Sequence, residues 1–226
     1  MSKRIELEFS RKYDQDHAQQ YLQKHQDNIS RRLSHWRDEQ LARKALHMAG
    51  DPGLVLDLPC GAGRFWPLLA EKPNRVIIGA DNSADMLNTA CAAQPADVVK
   101  RVQPLQTSAF DIDLPDNAVD SIFCMRLLHH VGQSEHRLAL LREFQRVTRD
   151  SVIVSLWVDG NFKAWKRKRL DSKRHAKNGQ DSYQNRFVLP AATVEAEFEQ
   201  AGFRIQERLD FLPFYAMWRV YLLRKR

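Results

Sequence analysis

Cysteine is scarce in this sequence, and the placement of the few cysteines argues against two classes of protein. Cys60, Cys91 and Cys124 are far apart, odd in number and without C-x-x-C spacing. A disulfide framework usually shows an even set of cysteines, and a structural zinc site needs closely paired ligands. The pattern fits neither, and it predicts a protein of the reducing cytoplasm.

Long apolar runs are also missing. No stretch approaches the roughly 18 apolar residues that a membrane-spanning helix needs. The segment MSKRIELEFSRKYDQDH has no apolar region of the kind found in secretory signals, so we expect that it is not a secretory signal. There is no internal repeat, low-complexity tract or Gly/Ser linker. With 226 residues, 43% of them hydrophobic, the chain is long enough for one domain with its own core.

Acidic residues are outnumbered, and the formal net charge is +7. Much of the excess lies in one stretch, KAWKRKRLDSKRHAK at residues 163–177. A basic excess can serve a nucleic acid, an acidic lipid or an acidic substrate. A single short basic run is also typical of a solvated loop or helix face, so composition leaves these alternatives open.

Between residues 54 and 157 the sequence alternates short apolar runs with helical patterns. The runs predicted as strands are 54–58, 75–80, 119–125 and 151–157. The helical patterns between them are 64–71, 84–93 and 134–147. Strands that alternate with helices are typical of βαβ units, in which right-handed crossovers join parallel strands.

The regions on either side of this alternation differ from it. The first 50 residues have a helical pattern that stops at residues 50–53. Near the other end, a helix over 194–203 precedes two strand-like runs, FRIQERLDFL and AMWRVYLLRK, joined by a turn near Pro213. Such a pair forms a hairpin, so we expect one edge strand to be antiparallel.

The motif VLDLPCGAGRF at residues 55–65 marks the candidate ligand site. Asp57 ends the first strand, where ligands bind in open α/β sheets, and Gly61 and Gly63 let the backbone approach a ligand closely. A nicotinamide dinucleotide site would need G-x-G-x-x-G, but Trp66 takes the third position and Asp57 would repel a pyrophosphate. The motif favours a cationic ligand without phosphates, such as S-adenosylmethionine. The alternative is a simple glycine turn capped by Asp57.

A second carboxylate, Asp81, ends the next predicted strand, 24 residues after Asp57. A carboxylate at this position can accept hydrogen bonds from both ribose hydroxyls of a nucleotide. Alternatively, Asp81 caps the helix that begins near Ser83.

Taken in order, the motifs resemble those of class I S-adenosylmethionine-dependent methyltransferases. They cover residues 50–226 and read VLDLPCGAGRF, IIGADNSADML, SAFDIDLPDNAVDSIFCMRLLHHV, LREFQRVTRDSVIVSLW, EQAGFRI and MWRVYLLRK. The resemblance implies one domain with a Rossmann-like three-layer α/β sandwich, whose doubly wound, mostly parallel seven-stranded sheet ends in an antiparallel C-terminal edge hairpin. The implied parts are an N-terminal helical cap (1–50), a cofactor-binding core (51–157), a substrate-side insertion (158–190), and a C-terminal helix with the hairpin (191–226).

The resemblance also implies a site for S-adenosylmethionine, with S-adenosylhomocysteine as the product. Asp57 and the glycine loop would surround the methionine part, Asp81 would hold the ribose, and Asn82 and Met86 would flank the adenine. The other implied contacts lie in the glycine loop, at the adenine edge and after the fourth strand: Pro59, Cys60, Gly61, Ala62 and Gly63; Ser108, Ala109 and Phe110; Cys124, Met125 and Arg126.

The sequence departs from the family pattern at three places. Pro59 stands where the family often has glycine. Proline fixes the backbone angle φ and removes a backbone N–H donor. Ser108 stands at the adenine-reading position that is usually acidic, and Asp111 could take that role instead. Thr148-Arg149-Asp150 replaces the usual Pro-Gly-Gly turn. None of these changes removes a chemical requirement of the site.

Methyl transfer is an in-line displacement, so the protein mainly aligns the two reactants. An acceptor that must lose a proton also needs a base, and His129 and His130 are the candidates because the pKa of histidine is near neutral. A histidine pair after a strand can instead pack or cap the next helix. No set of acidic residues and histidines at metal-ligand spacing is left over, so we expect no metal.

The acceptor is open at this point. The 158–190 segment and its neighbourhood contain Trp157, Trp165, Tyr183 and Phe187 among basic residues, which could wall a small-molecule pocket or stack on RNA. A small-molecule methyltransferase is the first hypothesis. An RNA methyltransferase is the second, because LLHHVGQSEHRLALLREFQRVTRDSVIVSLW also resembles enzymes that modify tRNA wobble uridines. A non-catalytic binding module is the third, and a nicotinamide-dependent oxidoreductase is disfavoured. The sequence does not predict an oligomeric state.

Overall fold

The computed structural model describes residues 29–178 and 186–226, with side chains described for 32–170 and from 186 onward. The helix expected over residues 1–28 and the aromatic Tyr183 lie outside the described residues. Seven strands form one sheet: β1 Leu54–Asp57, β2 Val76–Asp81, β3 Val102–Gln106, β4 Val119–Cys124, β5 Thr148–Trp157, β6 Phe203–Asp210 and β7 Trp218–Lys225.

The described helices lie on the two faces and at the ends of this sheet. Their bounds are α1 Ile29–Met48, α2 Trp66–Leu69, α3 Ala84–Ala93, α4 Ala96–Val99, α5 Ser134–Val147, α6 Phe162–Asn178 and α7 Ala191–Gln200, with a 3₁₀ turn at Leu128–His130. The helices predicted over 84–93 and 134–147 are confirmed with the same bounds. That predicted over 64–71 is shorter, and that predicted over 194–203 begins and ends three residues earlier.

The strand order is β3-β2-β1-β4-β5-β7-β6, and β1 to β5 are parallel. The predicted mostly parallel sheet with a C-terminal edge hairpin is confirmed. One detail of the hairpin was wrong: the antiparallel strand is β7, which lies between β5 and β6, so the edge strand β6 runs with the core strands. The pairing of β7 with β5 is a long-range contact that turn chemistry near Pro213 does not reveal.

Alternate residues of the central strands face two separate hydrophobic clusters, one on each side of the sheet. Leu56 and Ile122 pack with Phe144 of α5 and Phe198 of α7 on one side. On the other side, Val55 packs with residues of α1, α2 and α3. This period of two is what a strand buried on both faces requires, and it makes the fold a three-layer α/β sandwich.

Helix α1 ends in a Schellman motif. Gly50 has a φ of +86° and its N–H donates to the His47 carbonyl, while the Asp51 N–H donates to the Leu46 carbonyl, both at 2.9 Å. Glycine suits this left-handed position. The helix then leads directly into β1, as the stop predicted at 50–53 requires. The second half of α1 is firmly packed, since Leu41, Ala45 and Leu46 are buried. Trp36, in its first half, is largely exposed.

The order of the strands reverses between β1 and β4, since β2 and β3 lie to one side of β1 and β4 and β5 to the other. In doubly wound sheets the crevice outside the carboxyl ends of the strands at such a switch point is where ligands bind. The end of β1 is Asp57. The topology therefore places the motif VLDLPCGAGRF at the expected ligand position.

Candidate cofactor site

Asp57 is a buried carboxylate without a partner. Its side chain is 1% exposed, and neither carboxylate oxygen has a hydrogen bond from any described residue. Burial raises the pKa of Asp57 well above its ordinary value, and the charge of Asp81 raises it further. The Trp66 indole N–H lowers this pKa, although it does not reach hydrogen-bond geometry with the carboxylate. A buried charge needs a counter-charge or a proton, so this position is suited to a cationic or hydrogen-bond-donating ligand.

Asp81 fixes the glycine loop to the end of β2. One of its carboxylate oxygens accepts from the Gly61 N–H and the other from the Ser83 N–H, each at 3.0 Å. Burial raises the pKa of Asp81, and these N–H donors lower it. Ser83, not Asp81, is the cap of α3, because its hydroxyl accepts from the Met86 N–H at 3.3 Å. Each Asp81 oxygen keeps a further lone pair for a ligand hydroxyl.

Two glycines give the loop its shape. Gly61 and Gly63 have φ values of +54° and +70°, a region that other residues rarely adopt. A Cβ on Gly63 would come within 2.9 Å of Trp66 and Gln94, and one on Gly61 would touch the Met86 methyl group at 3.4 Å. Gln94 also donates to the Ala62 carbonyl at 3.0 Å. The loop therefore packs against Trp66 of α2, Met86 of α3 and Gln94 at the end of α3.

The start of the loop is anchored to the sheet. The Leu58–Pro59 peptide bond is cis, and the Cys60 N–H donates to the Ala80 carbonyl of β2 at 2.8 Å. The Cys60 side chain is buried, and burial raises the pKa of its thiol well above the ordinary value. Pro59 and Cys60 thus border the site, and Cys60 has no thiolate chemistry to offer there.

Trp66 explains how the loop manages without a third glycine. Its ring is fully buried and lies under Gly79 of β2, where a Cβ would come within 2.5 Å of the ring. A third glycine in the G-x-G-x-x-G pattern permits close packing of helix on strand. Here the glycine is on the strand and the large residue on the helix, so the same close packing is reached with the roles exchanged.

The predicted adenine edge follows β3. The Ser108 side chain is buried, and its hydroxyl accepts from the Phe110 N–H at 3.2 Å. Ser108 also forms an isolated bridge with Asp111, whose side chain is exposed. Ala109 and Phe110 are half-buried between them. At the end of the neighbouring strand β2, Asn82 is exposed and follows Asp81 directly. Ser108 and Asp111 therefore stay the two alternative contacts for the adenine edge.

The segment after β4 contributes backbone more than side chains. Cys124 and Met125 are buried, and burial raises the pKa of the Cys124 thiol, with a contribution from the charge of Asp57. Arg126 has a φ of +66° and donates its N–H to the Ser155 hydroxyl at 2.9 Å. A non-glycine residue held in the left-handed region costs energy, and such residues cluster at functional sites. Its guanidinium lies 4.7 Å above the Trp218 ring.

Asp38 of α1 is a site residue that the sequence did not indicate. It is 4% exposed and accepts from Arg64, at 2.8 Å, and from Arg126. Arg64 follows the glycine loop and Arg126 follows β4, so one carboxylate holds α1 against both. A single aspartate in a polar helix carries no sequence signal for such a role.

His129 and His130 lie in the 3₁₀ turn Leu128–His130, which follows Arg126 in the sequence. His129 is 3% exposed, and its ring is 5.0 Å from that of Trp157, 4.8 Å from that of Trp218 and 4.0 Å from that of His130. Burial, together with smaller contributions from the charges of His130 and three arginines, lowers the pKa of His129 to about 2. The ring is therefore neutral at ordinary pH and a weak base.

We define the acceptor-side cluster as His129, Trp157 and Trp218 with the arginines around them. Arg167 and Arg186 lie 4.9 and 6.0 Å above the Trp157 ring. The His129 Nδ1 atom and the Trp157 indole N–H are buried, and within the described part of the chain neither has a hydrogen-bond partner. Polar atoms buried in this way need an explanation, and a bound molecule is one.

Residues 29–178 and 186–226 contain neither a candidate metal site nor a candidate membrane span. No group of three or more His, Cys, Asp or Glu side chains there could hold a metal ion. None of the helices in the same ranges is long and apolar enough to cross a membrane. All three cysteines are free.

Residues 55–151 match a family model described as a methyltransferase domain. A search of curated proteins finds no match. Among solved structures, magnesium protoporphyrin IX methyltransferase from Synechocystis PCC 6803 with bound S-adenosylhomocysteine is 16% identical, with a TM-score of 0.69 and 89% of each chain covered. A methyltransferase from Aquifex aeolicus is 21% identical, with a TM-score of 0.64, covering 95% of this chain and 100% of the other. The cyclase SpnF is 18% identical, with a TM-score of 0.59 and coverages of 82% and 81%.

The structural similarities establish the fold, and residues 55–151 match the methyltransferase-domain model. The match begins within β1 and ends within β5, so it contains the glycine loop, Asp57 and Asp81. The sheet around it has the strand order and the antiparallel seventh strand described above. Residues 55–151 thus match a methyltransferase domain, and the sheet that contains them has the fold of class I S-adenosylmethionine-dependent methyltransferases of known structure.

Proposed function

We propose that this protein binds S-adenosylmethionine at the ends of β1 and β2 and transfers its methyl group to a small-molecule acceptor by in-line displacement. The observation that carries the proposal is the buried Asp57 carboxylate, which has no partner among the described residues. A positively charged ligand supplies the missing counter-charge. A nucleotide with a pyrophosphate would instead add negative charge beside Asp57 and Asp81.

The residues of the site fit the parts of this cofactor. Asp57 faces the charged methionine part, the backbone at Gly61 and Gly63 allows close approach, and Asp81 offers its free lone pairs to the ribose hydroxyls. Asn82, Met86 and the segment from Ser108 border the adenine. When bound, the cofactor supplies a methyl group activated by a positive sulfonium. The protein then needs to hold the acceptor in line and exclude water.

The acceptor-side cluster supports a small, electron-rich or acidic acceptor. Its walls are the rings of Trp157, Trp218 and His129, and its charges are guanidinium groups. His129 remains a candidate for positioning the acceptor through a hydrogen bond, since its low pKa makes it a poor proton acceptor. His130 remains the candidate base. The Synechocystis relative is named for a small-molecule substrate, magnesium protoporphyrin IX.

Two other functions stay open. An RNA acceptor is supported by the basic residues of α6 and by the sequence resemblance to wobble-uridine enzymes. A non-methylating role has precedent in the fold, because one similar structure is that of a cyclase. The division into cap, core, insertion and C-terminal part stays a proposal, as does a cytoplasmic location.

Calorimetric titration with S-adenosylhomocysteine tests the cofactor assignment, with NAD as the control ligand. We expect micromolar binding of the first alone. Binding of NAD, or of neither ligand, would contradict the proposal. The acceptor is then sought by measuring S-adenosylhomocysteine release with panels of acidic aromatic small molecules and with RNA. Release only with RNA would replace the small-molecule assignment.

A further inference from the structure

An apolar and basic surface forms where the start of α6 meets the turn between β6 and β7. The Phe162 N–H donates to the Phe214 carbonyl at 2.9 Å, and the Lys163 N–H donates to the Tyr215 carbonyl at 3.0 Å. The rings of Phe162 and Tyr215 stack at 5.8 Å with an interplanar angle of 12°. These contacts join two segments far apart in the sequence into one face, the α6 surface, defined as residues 162–170 with 212–215.

The α6 surface exposes large apolar side chains that a protein interior would normally bury. Phe214 is 88% exposed and Trp165 is 56% exposed. Of the nine exposed large hydrophobic side chains in the described residues, six lie on this surface: Phe162, Trp165, Leu170, Leu212, Phe214 and Tyr215. Apolar side chains gathered in one place, as opposed to scattered singly, mark an interaction site.

Backbone strain points the same way. Phe214 has a φ of +60°, which is uncommon for a bulky residue and costs of the order of 1 kcal/mol or more. The residue thus occupies an unfavourable backbone conformation and places its ring in water. Because the Phe214 side chain is almost wholly exposed, packing within the chain compensates neither the backbone strain nor the exposure of the ring. A partner that buries Phe214 would account for both.

The charge of the α6 surface is positive. The sequence FKAWKRKRL at residues 162–170 has five basic residues and no acidic one. Ala164 is the buried side of this helix, and Lys163, Lys166 and Arg169 are exposed with the aromatic residues. Lys163 lies 5.1 Å from the Tyr215 ring centre, and Arg169 lies 5.5 Å from that of Trp165. Asp159 at the rim is 3.8 Å from Lys168.

We propose that the α6 surface docks the protein on an anionic membrane surface. Trp, Tyr and Phe rings at the headgroup level together with lysine and arginine are the composition of interfacial helices. Anionic lipids supply the complementary charge, at a gain for each basic residue. RNA fits less well, because Leu170 and Leu212 have no ring on which a base could stack and because Phe162 and Tyr215 already stack on each other. This docking requires no membrane-spanning helix and does not depend on the proposed methyl transfer.

Sedimentation of the full-length protein with vesicles tests the inference. The probes are vesicles of phosphatidylcholine alone and of phosphatidylcholine with an equal amount of phosphatidylglycerol. We expect binding to the mixed vesicles, little binding to the neutral ones, and weakening by salt. Phe214→Asn should weaken binding about tenfold or more, and asparagine keeps the fold because it tolerates a positive φ.

A matched pair of charge variants separates this surface from the general basic character of the chain. The triple variant Lys163→Gln, Lys166→Gln, Arg169→Gln should lower the partition coefficient by about 100-fold, since each charge near an anionic surface contributes roughly fivefold. The control triple Lys44→Gln, Lys100→Gln, Arg142→Gln removes the same charge from exposed positions elsewhere and should change it far less. Thermal unfolding verifies that all variants fold.

Three outcomes would overturn the inference. They are no binding to the mixed vesicles, equal losses in the two triple variants, and binding of single-stranded RNA that Phe214→Asn abolishes while vesicles are not bound. Titration with S-adenosylhomocysteine on the same samples reports the cofactor site separately, so a failure of docking and a failure of the proposed activity are distinguished.

Discussion

Two neighbouring regions at the carboxyl edge of the sheet carry opposite charge. The end of β1 buries the carboxylate of Asp57, and that of Asp81 at the end of β2 is half-buried, whereas the ends of β4 and β5 bury His129 among arginines. Burial raises the pKa of Asp57 and lowers that of His129, so it favours the neutral form in both. This contrast in charge supports the proposed division of the site, with the cationic cofactor at the ends of β1 and β2 and an electron-rich or acidic acceptor at the ends of β4 and β5.

Asp38 lies at the boundary between the two regions. It accepts from Arg64, which follows the glycine loop, and from Arg126, which precedes the histidine pair. The helix α1 therefore supplies the negative charge that two guanidinium groups share.

Removing the boundary should have the largest effect. Asp38→Ala leaves two largely buried guanidinium groups with less counter-charge, so we expect a loss of about 3–5 kcal/mol in the free energy of unfolding. Urea unfolding measures it. The control is Glu71→Ala, which breaks an exposed pair with Arg43 and should cost less than about 1 kcal/mol. Equal losses would mean that Asp38 is an ordinary surface partner.

Removing the charge of Asp57 should affect stability and binding in opposite directions. Asp57→Asn removes a buried charge without a partner, so we expect the free protein to gain about 1–3 kcal/mol in its free energy of unfolding at neutral pH. Binding of S-adenosylhomocysteine should weaken about 10–100-fold, because a charged hydrogen-bond acceptor is lost. Because the pKa of Asp57 is raised in the folded state, this gain should shrink as pH falls towards the ordinary aspartate range. A variant that is less stable at neutral pH would contradict the assignment.

Asp81 offers a matched contrast to Asp57. Its oxygens already accept two N–H groups of the protein, so Asp81→Asn should lose about 1 kcal/mol of stability instead of gaining it. We expect binding of S-adenosylhomocysteine to weaken about tenfold, from the loss of a charged acceptor for the ribose. Calorimetry gives the dissociation constant. An unchanged constant would reduce Asp81 to a support for the loop.

The pH dependence of stability should report the cationic region with the smallest effect. The pKa of His129 is lowered to about 2, so below the ordinary histidine pKa the unfolded chain takes up a proton that the folded protein does not. Stability due to this group is complete above that pKa and falls by about 1.4 kcal/mol for each pH unit below it. His129→Phe keeps an aromatic ring and should show a shallower loss of unfolding free energy between about pH 6.5 and 6, by less than about 1 kcal/mol. Parallel curves would contradict the burial of a neutral histidine.

Local patterns in the sequence predicted much of the fold. The bounds of α3 and α5 follow from periodicity and capping within a few residues, and the glycine loop follows from chain chemistry. Strand β3 was not among the predicted strands, because its five residues contain Pro104 and only Val102 is buried. The length and apolar content that mark a central strand are missing from it.

The parts of the site that were missed depend on contacts between distant residues. Gly79 matters because Trp66 lies under it, and Asp38 matters because two arginines reach it from other elements. The aromatic part of the acceptor-side cluster was partly visible, since Trp157 and the histidine pair stood out in the sequence. Trp218 joined them only through the pairing of β7 with β5.

The position of β7 also constrains how the protein assembles during synthesis. Strand β6 is made before β7 but pairs in the sheet with β7, which in turn pairs with β5. Until the ribosome has released residues 218–225, both β5 and β6 expose an unpaired edge. Unpaired strand edges are prone to aggregation in partly folded chains. The sheet is therefore closed on this side only when β7 inserts between β5 and β6.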